Sequence, residues 1–204
     1  NRKKVYEYFE KGQNIIIEKT FVHGVYFILE GKVKVFKSGV NDKDQILRLA
    51  KTGDILGHRG INQKKFPISA TALTETHLCL IEMNDFLMLL KTNPGLTFQL
   101  MLFFADQLNF SETRVRDQAQ FSVRQKVADA LLKIKDVFNP GDENPFIGAE
   151  FSRRDISDLA GTTKEQVSKH FSDFIDEELI ETYGKEIKFI NPQGIRKIIN
   201  EPNT

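Results

Sequence analysis

Between positions 152 and 169 the chain gathers side chains suited to an anionic, hydrogen-bonding partner. Lys164 and Lys169 supply ammonium donors, Glu165 a carboxylate acceptor, and Gln166 an amide that either pairs with a base edge or closes a helix cap. These types match the donors and acceptors that base pairs show in a major groove. Ser152, Thr162 and Thr163, with the free amides at two helix starts, suit phosphate oxygens, and Arg153 and Arg154 add positive charge beside them. A polar helix face is more often simply solvated, so the elements that carry these residues decide the reading.

Other chemistry finds little support. Cys79, the single cysteine, can close no intramolecular disulfide and cannot by itself hold zinc or an iron–sulfur cluster. His77 beside Cys79 would suit a haem ligand, yet both fall in an apolar strand, where a lone His or Cys packs as core. His23, His58 and His170 lack metal-ligand spacing to carboxylates or thiols. No nucleophile elbow, phosphate loop or paired carboxylates appear, so the chain is read as no enzyme, with no cofactor expected. No apolar run approaches the roughly 18 residues of a membrane span. The chain starts at Asn1 without an initiator Met, so a few leading residues are expected to precede it; it shows no apolar leader, and a reducing cytoplasm is the expected setting.

The positioning elements are legible from periodicity. Ser152 is expected to cap a helix carrying Ile156, Leu159 and Ala160 that ends at Gly161; Thr163 is expected to cap the next, with Gln166 as capping-box partner. Val167, Phe171, Phe174 and Ile175 form that second helix's inner face, leaving Lys164, Glu165, Ser168 and Lys169 outside. From Ile180 to Phe189 the residues alternate about a Tyr-Gly-Lys turn, as in a β-hairpin. Helix, tight turn, helix and hairpin in this order describe a winged helix-turn-helix.

Upstream, Ile15 to Ile81 reads as short alternating strands punctuated by glycines and by the turn Ser38-Gly39-Val40-Asn41-Asp42, an antiparallel roll. Asn84 is expected to cap a short helix ended by Thr92-Asn93-Pro94, and Pro94 to open a long one. Leu96, Leu100, Phe103 and Phe110 form one apolar stripe of that long helix; Met101, Phe104, Leu108 and Val115 form a second at heptad spacing. Burial of the whole helix in its own domain and dimerisation both fit the stripes, and the polar run Ser111–Gln120 favours the dimer. Another helix spans Val123 to Val137, followed by the loop Asn139-Pro140-Gly141-Asp142. The fold class is α+β, divided into a jelly-roll-like antiparallel β-roll (1–93), a dimerisation helix and hinge (94–122) and the winged helix-turn-helix (123–204).

Charge argues against a generally basic binding surface. Residues 1–65 hold 14 Lys or Arg against 7 Asp or Glu, whereas residues 124–204 hold 12 against 15. Any contact with nucleic acid must therefore rest on a few well-placed cations.

The whole chain after residue 8 resembles the Crp/Fnr superfamily of bacterial regulators. "VYFILEGKVKVF" and "GDILG" resemble its cyclic-nucleotide-binding-like β-roll, "NPGLTFQLMLFFADQL" its dimerisation helix, and "FSRRDISDLAGTTKEQVSKHFSDFIDEELIETYGKEIKF" its DNA-binding domain. The resemblance implies base-reading roles for Lys164, Glu165 and Lys169, where the family commonly has Arg, Glu and Arg. Both lysines keep the charge but lose the bidentate guanidinium fork. It also implies a candidate effector pocket at Gly57, His58, Arg59, Phe66 and Ser111, and this region departs from the pattern of members that bind cyclic AMP. His58 replaces the ribose-binding Glu, Phe66-Pro67 stands where an Arg-Ser pair holds the phosphate, and Ser111-Glu112 falls where hydroxyl residues meet the base. Tight cyclic AMP binding is not expected, and one cysteine rules out an Fnr-type cluster.

The resulting expectation is a homodimeric, sequence-specific transcription regulator with double-stranded DNA, a second copy of itself and RNA polymerase as partners. Its operator would be near-palindromic, with half-sites roughly 34 Å apart. The alternative is a ligand-binding or protein-interaction module whose helix-turn-helix does not read DNA.

Overall fold

In a computed structural model of the chain, residues 4–40, 43–140 and 145–201 are described. They form two compact units: one comprises Ala50–Arg116 with the chain up to Ser38, the other Gly39–Leu49 with the chain from Asp117 onward.

The first unit begins with β1 (Lys4–Phe9), β2 (Asn14–Ile16), β3 (Gly24–Glu30) and β4 (Lys32–Ser38). β6 (Ile55–Leu56), β7 (Ser69–Ala72) and β8 (Thr76–Glu82) follow, while β5 (Asp44–Lys51), which precedes them in the chain, falls in the other unit as far as Leu49. Two four-stranded sheets result, ordered β1-β8-β3-β6 and β2-β7-β4-β5, with antiparallel registers. The period-two reading holds in β4, where Val33 and Val35 are buried while Lys32 and Lys34 are half-buried. Val25, Tyr26, Ile28, Leu56, Phe66 and Leu78 also belong to the core. Each such side chain contributes about 1.5–3 kcal/mol by leaving water. The Ser38–Asp42 turn lies partly outside the described residues (41 and 42); Gly39 N donates to Lys43 O at 2.7 Å.

Two sequence expectations fail here. His77 is exposed at the sheet surface beside the Tyr8 ring (5.1 Å), because register turns Thr76 and Leu78 inward and His77 outward; Cys79, on the same outward face, is nevertheless buried. Asn84 caps nothing: α1 (Met83–Thr92) continues directly from β8, and Met83 N donates to the His23 carbonyl instead.

The long helix α2 (Pro94–Gln120) opens at Pro94, with the Asn93 side chain accepting from Leu96 N at 3.0 Å. Its two stripes differ. Leu96, Leu100 and Phe103 are half-buried, whereas Met101, Phe104, Leu108 and Val115 are exposed. Phe110 leaves the first stripe and is exposed too. Nor is the run after Ser111 wholly solvated, since Arg114 and Asp117 are buried.

The second unit holds α3 (Val123–Phe138), β9 (Phe146–Ile147), α4 (Arg153–Ala160), α5 (Lys164–Asp176), β10 (Ile180–Tyr183), β11 (Glu186–Phe189) and α6 (Pro192–Asn200). α3 starts with a capping box between Ser122 and Gln125. Of the loop after it, 141–144 lie outside the described residues. β9, which the sequence did not announce, adds a third strand to the hairpin in the order β10-β11-β9. α6 was likewise not foreseen; Asn191 accepts from Gly194 N at 2.8 Å, Pro192 follows, and Ile195 and Ile198 are buried.

α5 ends in a Schellman motif. Leu179 N donates to Phe174 O at 2.8 Å and Glu178 N to Ile175 O at 2.9 Å. Glu178 holds the left-handed position at φ 55, where glycine is favoured. Glu178→Gly is therefore expected to raise unfolding stability by about 1 kcal/mol. Chemical denaturation measures it, and a stability loss would show that the Glu178 side chain makes a compensating contact.

Candidate nucleic-acid interface

α4 and α5 form around two caps and one turn. Ser152 Oγ accepts from Asp155 N at 3.1 Å, and the Asp155 carboxylate accepts from both Ser152 N and Ser152 Oγ, closing a capping box. α4 stops at Gly161, whose φ of 71 is left-handed. Thr163 Oγ1 then accepts from Gln166 N at 3.4 Å and opens α5. Ile156, Leu159 and Ala160 of α4 pack inward with Val167, Phe171 and Phe174 of α5. Ile175, read as part of this inner face, is instead 40% exposed, because at 100° per residue it lies at the edge of the arc that Val167, Phe171 and Phe174 occupy.

The outward residues lie as the spacing implies. Lys164, Glu165, Gln166, Ser168 and Lys169 are all exposed. At 100° per residue, Lys164, Glu165, Ser168 and Lys169 fall within an arc of about 140° on the first turn and a half. The hairpin follows, closing through Gly184 between Tyr183 and Glu186.

Several of these side chains sit otherwise than expected. Glu165, not Gln166, turns back to the cap: its carboxylate accepts from its own backbone N–H and from the Thr163 hydroxyl, and with the Lys164 and Lys43 charges these hold its pKa below the usual carboxylate value. No return bond from Gln166 completes a capping box at Thr163, so the short-range competition for the cap goes to the charged neighbour. Arg153 is half-buried with its guanidinium 3.8 Å from the Phe171 ring centroid, and desolvation lowers its pKa. It ties α4 to α5 by a cation–π contact worth about 0.5–2 kcal/mol rather than standing free for a phosphate. Arg154 is exposed and pairs with Asp158 at 3.7 Å, while Thr162 is half-buried, its amide donating to Ser157 O at 3.1 Å.

In the β-roll the residues proposed for an effector are mostly neighbours. Gly57 is left-handed (φ 77), and a Cβ there would lie 2.9 Å from Gly24 O and 3.3 Å from the Phe66 ring. Phe66, 1% exposed, fills the space beside Gly57 and Gly60 and meets the His23 ring edge-on at 5.5 Å. His23 Nε2 is 2.7 Å from the Tyr26 hydroxyl, whose pKa is pushed up to about 12 by burial and then by the Glu7 charge. His58 is buried against Phe103 and Phe104 of α2, at 5.1 and 5.5 Å. Arg59 is partly buried, and desolvation lowers its pKa. Ser111 does not join them. It lies two helical turns beyond Phe104, is exposed, and donates its hydroxyl to Gln107 O at 2.8 Å.

Comparison with known proteins follows the same division. Residues 6–93 match the family model of the cyclic nucleotide-binding domain, and residues 125–198 match that of the Crp-like helix-turn-helix domain. The chain belongs to the Crp/Fnr superfamily of transcription regulators. Among this regulator's curated relatives, the probable transcriptional regulator flp of Lacticaseibacillus casei is 27% identical over 187 residues, 91% of this chain and 83% of flp. The cAMP-activated global transcriptional regulator CRP of Escherichia coli O157:H7 is 25% identical over 165 residues, 80% of this chain and 79% of CRP. Among solved structures, FixK2 from Bradyrhizobium japonicum shares the fold with a TM-score of 0.83 at 21% identity, covering 96% of this regulator and 97% of FixK2. Its relatives are regulators and not enzymes. Among the described residues no helix is long and apolar enough to cross a membrane, and no group of His, Cys, Asp and Glu is arranged to hold a metal ion.

Proposed function

We propose that this regulator acts as a homodimer that reads a near-palindromic DNA operator through α5, with RNA polymerase as the downstream partner and the cytoplasm as its place of work. Lys164 and Lys169 donate to base edges or phosphates at the centre of the contact. Glu165 accepts from a cytosine amino group once it exchanges the Thr163 hydroxyl for the base. Ser152, Arg154, Thr162 and Thr163 meet the backbone, and Arg153 supports them from beneath by holding α5 to α4. The functional division is 1–93 for sensing, 94–122 for dimerisation and 123–204 for DNA. The observation that carries this reading is the exposed polar arc on the first turn and a half of α5, set on a capped helix-turn-helix with a hairpin behind it. Fluorescence anisotropy with the region upstream of the regulator's own gene tests it. Saturable binding that survives nonspecific competitor supports the reading. Absence of binding at every salt concentration favours an interaction module, the outcome to which the acidic balance of residues 124–204 points.

For the sensor, the effector region at Gly57, His58, Arg59 and Phe66 does not take cyclic AMP. The name of the relative CRP carries that ligand, but the space beside Gly57 and Gly60 holds the Phe66 ring, and Pro67 brings no backbone donor for a phosphate. Isothermal calorimetry is expected to give no saturable heat with cyclic AMP at micromolar concentration. A saturable isotherm with one site per chain would refute this.

A further inference from the structure

The last turn of a helix leaves four carbonyls without intrahelical partners. In α4 they belong to Ser157, Asp158, Leu159 and Ala160, and the turn amides meet the first: Gly161 N and Thr162 N donate to Ser157 O at 2.9 and 3.1 Å. The other three are met by two glutamines distant in sequence. Gln45 Nε2, at the head of β5, donates to Asp158 O at 2.7 Å and reaches Leu159 O at 3.5 Å. Gln118 Nε2, in the last turn of α2, donates to Ala160 O at 3.1 Å. Both glutamines lie in the same compact unit as α4 and α5. Their amide heads converge on the turn, since a Cβ on Gly161 would come within 2.7 Å of Gln118 Oε1 and 3.2 Å of Gln45 Oε1.

The contact is polar. A cleft of about 570 Å³ is lined by Lys43, Asp44 and Gln45 together with Asp158, Thr162 and Thr163. Hydrogen bonds beside such open space exchange with water at little net cost, so they fix a position more than they stabilise a fold. What they fix is the α4–α5 turn, and with it the direction in which Lys164, Glu165 and Lys169 point.

We infer that Gln45 and Gln118 are positioning residues for DNA reading, holding the α4–α5 turn through the terminal carbonyls of α4. This rests on the reading of α5 as the DNA-contacting helix. Gln45 heads β5, and the same stretch of chain runs on to Gly57 and His58.

The test uses the full chain and two duplexes of equal length, one enriched from a random pool by the wild-type protein and one scrambled. Gln45→Met and Gln118→Met keep side-chain length and remove the donors. Each is expected to lower affinity for the enriched duplex roughly 3- to 10-fold. Affinity for the scrambled duplex, its salt dependence and the melting temperature are expected to hold, while amide hydrogen exchange at residues 161–166 quickens. Gln45→Glu, which keeps shape and polarity but offers the carbonyls only acceptors, should reproduce the loss if Gln45→Met folds poorly. Unchanged discrimination in these variants overturns the inference, as does an equal loss on both duplexes, which marks a purely structural role. A wild-type chain that does not distinguish the duplexes removes the DNA reading and this inference with it, a result separable from any effect of the variants.

Discussion

Lys164→Ala and Lys169→Ala are each expected to weaken binding to the specific operator by roughly 10- to 100-fold, the equivalent of about 1–3 kcal/mol. The size follows from the charge distribution. The segment from 124 onward carries 12 basic against 15 acidic residues, so no background of positive charge compensates for a lost lysine. Arg153 cannot step in while its guanidinium lies over Phe171, and Arg154 is shared with Asp158. Salt titration separates the two roles open to each lysine. A lysine on phosphate contributes about 0.9 to the slope of log affinity against log salt, and its removal lowers that slope by this amount on every sequence. A lysine on a guanine edge leaves the slope nearly unchanged and relaxes the preference at one base pair. Operator affinity within twofold of wild type in both variants would remove α5 from the interface.

How much of this could be read from sequence depended on whether the deciding interaction was local. The winged helix-turn-helix was legible because Ser152, Gly161 and Thr163 each specify a cap or a left-handed turn within three or four residues of themselves. The inner faces of α4 and α5 followed from periodicity alone. Periodicity misjudged only Ile175, which lies at the edge of the buried arc. α6 could have been found from Asn191-Pro192 and the spacing of Ile195 and Ile198. β9, at two residues, is too short to carry a period, and its pairing with β11 is decided by tertiary register.

The site's remaining features were hidden because they join residues far apart or choose among equivalent neighbours. Gln45 and Gln118 are ordinary surface types whose role depends on meeting α4, more than 110 residues on in the case of Gln45. At Thr163 the spacing pointed to Gln166 as capping-box partner, whereas the Glu165 carboxylate is the side chain that meets the Thr163 hydroxyl. His77 was misplaced for a similar reason: alternation tells that neighbours oppose each other, not which of them faces inward. In the effector region the sequence pointed to the loss of phosphate partners at Phe66-Pro67, whereas the packing of the Phe66 ring beside Gly57 and Gly60 is visible only in the fold.

Leu108→Glu is expected to convert the proposed dimer to a monomer of 23.4 kDa, observed by light scattering on a sizing column. Met101, Leu108 and Val115 stand at heptad intervals on α2 and are 56%, 61% and 71% exposed in the single chain, with Phe104 between them at 39%. An exposed apolar stripe of this length on a 27-residue helix suits the proposed dimer, in which a two-fold axis would bring each residue opposite its twin or its heptad neighbour. The symmetry doubles the effect of a substitution. Two Leu side chains lose burial worth about 2 kcal/mol each, and two carboxylates come together in a seam with little water, so the dissociation constant should rise by at least ~10³-fold. Operator affinity should then fall by about 10²- to 10⁴-fold, since two half-site contacts no longer act as one. Half-site contacts in the monomer should persist with their dependence on Lys164 and Lys169 intact. Circular dichroism and melting should stay close to wild type, because Leu108 contributes little to the core of its own chain. A Leu108→Glu protein that remains dimeric would show that another surface joins the subunits and that the α2 stripe meets a different partner.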